Sequence, residues 1–369
     1  MTAGHWADLG LPRVVNAAGK MTYLGSATLS PGVVAAMSAA AVEPVEMARL
    51  KHAAGARIAE LIGAESAQVV SSAASGIALA VAAVVVGRDL SAIESVPVPG
   101  TTRRRVLLQN AHAVHFGAPI TQMVRLGGGL PVEVGSANRC TPAHLAEAID
   151  ADTAAVLHVV SHHVMAESEV SLEESIAIAH AAGVPVIVDA AAETDLRGYA
   201  GSGADLVCFS GHKAIGGPTA GVVAGKSVLV ASCAAQEVGI GRAMKVGKET
   251  IAGVLAAVEE YLRVPPDPEE LHARLASVVE AAGDGLRARF EVVLDPTRPI
   301  PRLVIEPSDD AHLTARELGD VLEMGSPSIR TRNHEAARGR IAVDPRELTD
   351  EDAREVGRAL RRLLTGEES

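Results

Sequence analysis

The chain has 369 residues, a formal net charge of −12 and 48% hydrophobic residues. It is long enough for two packed domains, and its acidic balance argues against nucleic acid as the main partner, because phosphate backbones demand clustered Lys and Arg. No apolar run reaches membrane-spanning length, the N-terminus lacks a signal-peptide pattern, and Cys140, Cys208 and Cys233 have no CxxC spacing, so the expectation is a cytoplasmic protein with neither a disulfide framework nor a zinc site.

Residues 12–29 have no clear periodicity and read as an extended N-terminal arm (1–29). Ser30-Pro31 is an N-cap followed by a proline at the first helical position, opening a helix to about Ala41. A second helix, from about Pro44 to Ile62, has apolar residues at three- and four-residue spacing. A short strand, Ala67 to Ser71, leaves through Ser72-Ala-Ala-Ser-Gly-Ile77 into the apolar helix Ala78 to Val86. Small residues between a strand and a helix N-terminus expose N–H groups to an anion, which makes Ser75 and Gly76 candidates for a phosphate cup; a plain tight turn is the alternative. Residues 88–104 read as a linker or a surface excursion.

Strand Val106 to Gln109 then ends in Asn110-Ala-His-Ala-Val-His-Phe-Gly117. A strand Gln122 to Leu126, a Gly127–Gly129 turn and a helix Thr141 to Ile149 follow. Strand Ala154 to Val160 ends in Ser161-His162-His163. Helix Leu172 to Ala182 leads to the strand Val184 to Asp189, and strand Leu206 to Phe209 delivers Ser210-Gly-His-Lys213 and a Gly-Pro turn. This alternation predicts a doubly wound, mostly parallel sheet, with ligand groups at strand C-termini. Pro265-Pro-Asp-Pro268 marks the clearest boundary. The large domain is therefore 30–264. Beyond it, mixed helices and strands predict a small α+β domain over 265–369.

Lys213 is the centre of the chemistry. A lysine leaving a strand into a cleft is partly desolvated and becomes a usable amine. One βα unit upstream, Asp189 ends an apolar strand. Each residue alone has a bland explanation, a solvated turn lysine or a helix cap. Together they supply what pyridoxal 5'-phosphate (PLP) requires: an amine for the Schiff base and a carboxylate that keeps the pyridine nitrogen protonated. Ser210 and His212 flank the lysine, and Ser210 can extend the phosphate cup. His112, in a chain with only 2% aromatic residues, is the candidate to stack on the pyridine ring. His158, His162 and His163 lack a completing carboxylate, so no metal is expected; His162 or His163 is a candidate acid or base. Arg330 and Arg332 are candidates to clamp a substrate carboxylate. Lys20, Arg242, Lys245 and Lys248 would suit an anionic substrate, although such clusters are often plain surface.

Val15-Asn-Ala-Ala-Gly-Lys-Met-Thr-Tyr-Leu-Gly25, Gly117-Ala-Pro119, Ser161-His-His163, Val188-Asp-Ala-Ala-Ala-Glu193 and Ser210-Gly-His-Lys-Ala-Ile-Gly-Gly-Pro218 together resemble fold type I PLP enzymes. Within these they resemble the group that holds selenocysteine synthase (seryl-tRNA selenium transferase) and D-glucosaminate-6-phosphate ammonia lyase, over residues 12–345. The resemblance implies an aspartate-aminotransferase-like α/β large domain with a seven-stranded, mostly parallel sheet, a small C-terminal domain and a homodimer or larger homo-oligomer. It places Lys20 as a basic residue of the arm. It also implies α-proton abstraction and β-elimination on a β-hydroxy amino acid or amino-sugar acid, yielding a 2-oxo acid and ammonia. A transferase, an aldolase, a racemase, a desulfurase-like or class V aminotransferase-like enzyme and a non-catalytic binding protein remain open alternatives. For desulfurase chemistry the cysteines are poorly placed, Cys208 in a strand and Cys233 in a helix.

Overall fold

A computed structural model describes residues 6–161, 164, 168–264, 267–295 and 300–365. The chain forms two compact units, residues 29–265 and residues 1–28 together with 266–369. It begins with β1 (Val14–Asn16) of the second unit. The first unit then runs α1 (Pro31–Val42), α2 (Met47–Ile62), β2 (Ser66–Val70), α3 (Ala73–Val86), α4 (Leu90–Ser95), β3 (Arg105–Gln109), α5 (Ile120–Leu126), β4 (Leu130–Val134), α6 (Pro142–Ala148), β5 (Thr153–Val159), α7 (Leu172–Ala181), β6 (Val186–Asp189), α8 (Leu196–Ala200), β7 (Leu206–Ser210), β8 (Gly221–Gly225), α9 (Ser227–Ala235) and α10 (Lys248–Arg263). The second unit resumes with α11 (Pro268–Ala282), β9 (Ala288–Leu294), β10 (Pro301–Pro307), α12 (Ala315–Met324), β11 (Ser328–Arg330), β12 (Ile341–Val343) and α13 (Asp350–Leu364).

The large sheet has the strand order β2-β8-β7-β6-β5-β3-β4. β8 is antiparallel to both its neighbours, and every other pair is parallel. β5, β6 and β7 are buried at every position, as expected of parallel strands covered by helices on both faces. Alternate residues serve the two faces. Val207 and Phe209 pack with Ile58 and Ile251 on one side, and Leu206 and Cys208 pack with Ile77 and Val230 on the other. This is the aspartate-aminotransferase-like architecture of the PLP fold type I enzymes. At the N-terminal edge of β6 and β7, the buried Asp205 carboxylate accepts from Val186 N (2.7 Å), His180 Nε2 (2.8 Å) and Lys226 Nζ (2.6 Å), fixing the two strands in register. Among the described residues, no helix is long and apolar enough to cross a membrane.

Two local expectations are corrected. Residues 122–126 are helical, not extended. Ile120 and Val124, four residues apart, are both fully buried on one face, and the strand of this region is β4, further on. The Gly127–Gly129 triplet forms the expected turn and also allows close approach to α3. A Cβ on Gly127 or Gly129 would collide with Val81 of α3 at 2.8 Å. The segment read as a linker contains α4, whose first turn is capped by Asp89 accepting from Ala92 N at 2.8 Å.

The second unit has an antiparallel sheet, β12-β10-β9, and a two-stranded parallel ribbon, β1-β11. Its core gathers Leu275 and Val278 of α11, Leu318 of α12, Val356 and Leu360 of α13, and Val15 of β1. Within the stretch read as an extended arm, Val14–Asn16 form a strand of this unit, in register with β11 (Val15 opposite Ile329).

Gly221 opens β8 between Val70 of β2 and Ser210 of β7. A Cβ there would lie 2.5 Å from Ser72 C and 2.6 Å from Ala73 N, both backbone atoms that cannot rotate away. Gly221→Ala is therefore expected to destabilise the protein by about 1–3 kcal/mol and to shift the N-terminus of α3. Thermal or denaturant unfolding of the variant checks this.

Candidate functional site

The C-terminal ends of β2, β7, β6, β5 and β3 lie along one edge of the sheet, because β8 alone runs the other way. Backbone bonds lock the segments leaving this edge. Ala190 N donates to Cys208 O (3.0 Å), Ser210 N to Ala191 O (3.3 Å) and Val160 N to Asp189 O (2.9 Å). The loop carrying Lys213 closes on itself, with Gly211 N on Ala220 O (2.8 Å), Gly217 N on Gly211 O (2.7 Å) and Gly216 N on Lys213 O (3.2 Å). Asp189 and Lys213 are thereby held from adjacent strands.

Asp189 is 7% exposed, and burial pushes its carboxyl up to about 6, with the Ala191 amide and the Lys213 charge opposing. Its Oδ1 accepts from Ala191 N at 3.1 Å. Among the described residues no donor reaches the second oxygen. A buried carboxylate with one open acceptor is the partner that a pyridinium N–H requires, and Lys213 is half-buried within reach of its charge. The residues at this edge fit PLP. His212 is buried beside Lys213, and burial and the lysine charge lower its pKa. Ser210 is buried at the end of β7.

The N-terminus of α3 lies two residues past Val70, across Gly221 from Ser210. Here the expected roles of Ser75 and Gly76 are corrected. The Ser75 hydroxyl accepts from Ser72 N (2.9 Å) and Ser71 Oγ (3.1 Å) and donates to Ser72 O (2.8 Å), so the capping box uses its full bonding capacity. Gly76 packs α3 on the sheet: a Cβ would meet Val223 at 3.0 Å and Val70 at 3.4 Å. What the turn offers an anion is the first N–H groups of α3, at Ala73 and Ala74. The sequence signal for that feature was the strand–helix junction itself.

His112 also departs from expectation. Its ring has no exposed surface. Nδ1 lies 3.1 Å from Val159 N, Nε2 lies 3.1 Å from Glu169 Oε2, and the ring edge meets His158 with centroids 4.6 Å apart at 83°. A ring that a cofactor covers is open when the cofactor is absent, and this ring offers no open face. Burial and the neighbouring His112 push His158 down to about 3, and its Nδ1 lies 3.2 Å from Ser175 Oγ. Gln109, which sequence reasoning missed, clamps the same region by donating to Val170 O (2.7 Å) and accepting from Val170 N (2.8 Å). His162 and His163 lie outside the described residues. Among the described residues, no group of three or more His, Cys, Asp or Glu side chains is placed to hold a metal.

The other basic candidates belong to the second unit, except Arg242 and Lys245, which are exposed, and Lys248, whose Nζ donates to Glu43 O. The centre of that unit's polar core is Asp344, fully buried. Burial opposes its charge, but Arg346, bonded to both oxygens (2.9 and 2.8 Å), and Arg302 outweigh it and hold the carboxyl below the ordinary range. Arg332 donates to Ala18 O at 3.3 Å and lies 4.0 Å from Asp344; its Nε is buried without a partner among the described residues. Burial and the charge of Arg302 lower its pKa. Arg330 is ion-paired with Glu323. Lys20 is largely buried, 4.0 Å from Glu347, and desolvation lowers its pKa.

A profile of the L-seryl-tRNA selenium transferase family matches residues 14–282. The 5'-C-glycyluridine monooxygenase-decarboxylase of a Streptomyces species is 42% identical, over 98% of this chain and 92% of that protein. The D-glucosaminate-6-phosphate ammonia lyase of Salmonella typhimurium is 37% identical, over 95% of each. A solved structure of D-glucosaminate-6-phosphate ammonia-lyase superposes with a TM-score of 0.92 at 36% identity, covering 98% of both chains.

Native Asp189 holds its proton more tightly than the unfolded chain does. Its cost to stability is therefore absent below the ordinary carboxylate range, grows as pH rises toward about 6 and stays constant above. Asp189→Asn is expected to stabilise the cofactor-free protein at pH 7.5 by up to about 3 kcal/mol, with no gain at pH 4. Denaturant melts of both proteins at the two pH values check this.

Proposed function

The chain belongs to the L-seryl-tRNA selenium transferase family, and from that premise we propose that it is a PLP-dependent lyase acting on a β-hydroxy amino acid or amino-sugar acid. The observation that carries the reading is the buried Asp189 with its open carboxylate oxygen, facing the strand that delivers Lys213. Near-full-length identity to a D-glucosaminate-6-phosphate ammonia lyase supports the reaction class.

Bound PLP supplies an electron sink for the pair left at Cα when its proton departs. Asp189 would hold the ring nitrogen protonated and so keep that sink strong, and the first N–H groups of α3 would receive the phosphate. Lys213 would hold the cofactor through its amine and would be the base that takes the Cα proton. The β-hydroxyl leaves as water with one proton from a nearby acid, for which His162 or His163 remains the proposal. Water then releases the nitrogen, so the net products are a 2-oxo acid and ammonia. Arg330, Arg332 and Lys20 are proposed to bind the substrate carboxylate and its other anionic groups; the Nε of Arg332 is buried without a partner among the described residues.

The reading includes a small-molecule substrate and a homo-oligomer. Helix α1 is apolar almost throughout, yet within one chain it buries only Val33, and Val34 (47%) and Val42 (80%) face outward. The 42% identity to 5'-C-glycyluridine monooxygenase-decarboxylase favours a second reading, in which the same cofactor edge serves oxidative loss of the substrate carboxylate.

Borohydride reduction of the PLP-loaded protein should fix the cofactor covalently on Lys213, read by peptide mass, and Lys213→Ala should show no such adduct. A panel of D- and L-β-hydroxy amino acids and amino-sugar acids should then yield ammonia and 2-oxo acid in equal amounts. Release of carbon dioxide with oxygen uptake would select the second reading instead. With an active substrate, Arg332→Ala should raise KM roughly ten- to a hundredfold with kcat little changed, as expected when uniform binding is lost.

A further inference from the structure

We propose that His112 is a positioning residue of the cofactor edge: its neutral ring, in the single tautomer its neighbours allow, ties the end of β5 beside Asp189 to the segment after β3. The bond to Val159 fixes the tautomer. A backbone N–H can only donate, so Nδ1 must accept and carries no proton. The ring proton therefore sits on Nε2, aimed at the Glu169 carboxylate. Val159 stands opposite Asp189 in the β5–β6 pairing, and the next amide, Val160 N, bonds Asp189 O. A displacement of Val159 is thus passed to Asp189 through one register pair and one hydrogen bond. Gln109 secures the neighbouring residue of the Glu169 segment, leaving His112 as the link from that segment to β5.

Protonation would break the link, because Nδ1–H would then face the Val159 N–H. Burial lowers the His112 pKa against the opposing pull of Glu169, so the neutral ring is the native form. Among the described residues, the titratable groups facing the ring are Glu169, from the segment before α7, and His158, from β5.

This role rests on the PLP reading only for its effect on the cofactor. Two substitutions separate it from ring stacking. In His112→Gln, a side-chain carbonyl can accept from Val159 N and an amide can donate to Glu169, with no ring. In His112→Phe the ring remains and both hydrogen bonds are lost. PLP titration of the apoprotein should give His112→Gln an affinity within about threefold of wild type and His112→Phe an affinity at least tenfold weaker. Phe binding as well as Gln, or better, overturns the proposal.

A second measurement needs no cofactor. The unfolded chain protonates at position 112 before the native ring does, so wild type should lose stability as pH falls below the ordinary imidazole range. His158 acts in the same direction and is common to all variants. The apoprotein melting temperature should therefore fall less between pH 7 and pH 5 in His112→Gln than in wild type, and equal falls overturn the proposal. Wild type that binds no PLP would sink the proposed function while leaving this second comparison decisive for His112.

Discussion

The first unit is organised around a charge that its own core does not favour. Asp189 ends an apolar strand and is desolvated on every side, with one backbone amide and a lysine charge in partial compensation. A buried carboxylate is costly unless paired, and well-packed proteins rarely keep one without a purpose. Its surroundings make sense as devices for keeping that group fixed. The β6 and β7 registers are pinned at the far edge by Asp205, the strand ends are laced by backbone bonds, and the lysine loop is closed on itself. The fold supplies rigidity around a carboxylate whose second oxygen no described donor reaches.

The parts of this arrangement carried by backbone pattern were legible in the sequence. Strand-end Asp189 and Lys213 were legible as a pair, each following an apolar run one βα unit apart, although either alone has a bland explanation. The Ser30-Pro31 helix start was equally plain. What failed were side-chain assignments that depend on direction. Ser75 and Gly76 stand at an anion-binding turn, but the hydroxyl points back into its own cap and the glycine points at the sheet. His112 reads as a cofactor residue because it follows a strand in a chain poor in aromatics, yet its ring is fully buried with Nδ1 on Val159 N. Gln122 to Leu126 was misread as a strand because five residues are too short to reveal their period.

The similarity to relatives with different named reactions follows from the same division. The edge proposed to hold the cofactor is mostly backbone register and a few fixed side chains, which a family can share while its members act on different substrates. Arg332 and Lys20, the residues proposed to bind the substrate, belong to the second unit, Arg332 beside Asp344 and Lys20 beside Glu347.

That second unit is assembled from both ends of the chain, with β1 beside β11 and the Asp344 amide bonded to Ala17 O. During synthesis the first unit can complete its sheet before the last third of the chain exists. The arm emerges first and finds its strand partner last. Until the ribosome has finished, Val15 and its neighbours are an unpaired edge carrying apolar side chains, the kind of segment that invites misassembly or chaperone capture. The same closure makes the C-terminal unit dependent on the first residues of the protein, so a shortened N-terminus would remove a strand from a core that lies, in sequence, at the other end.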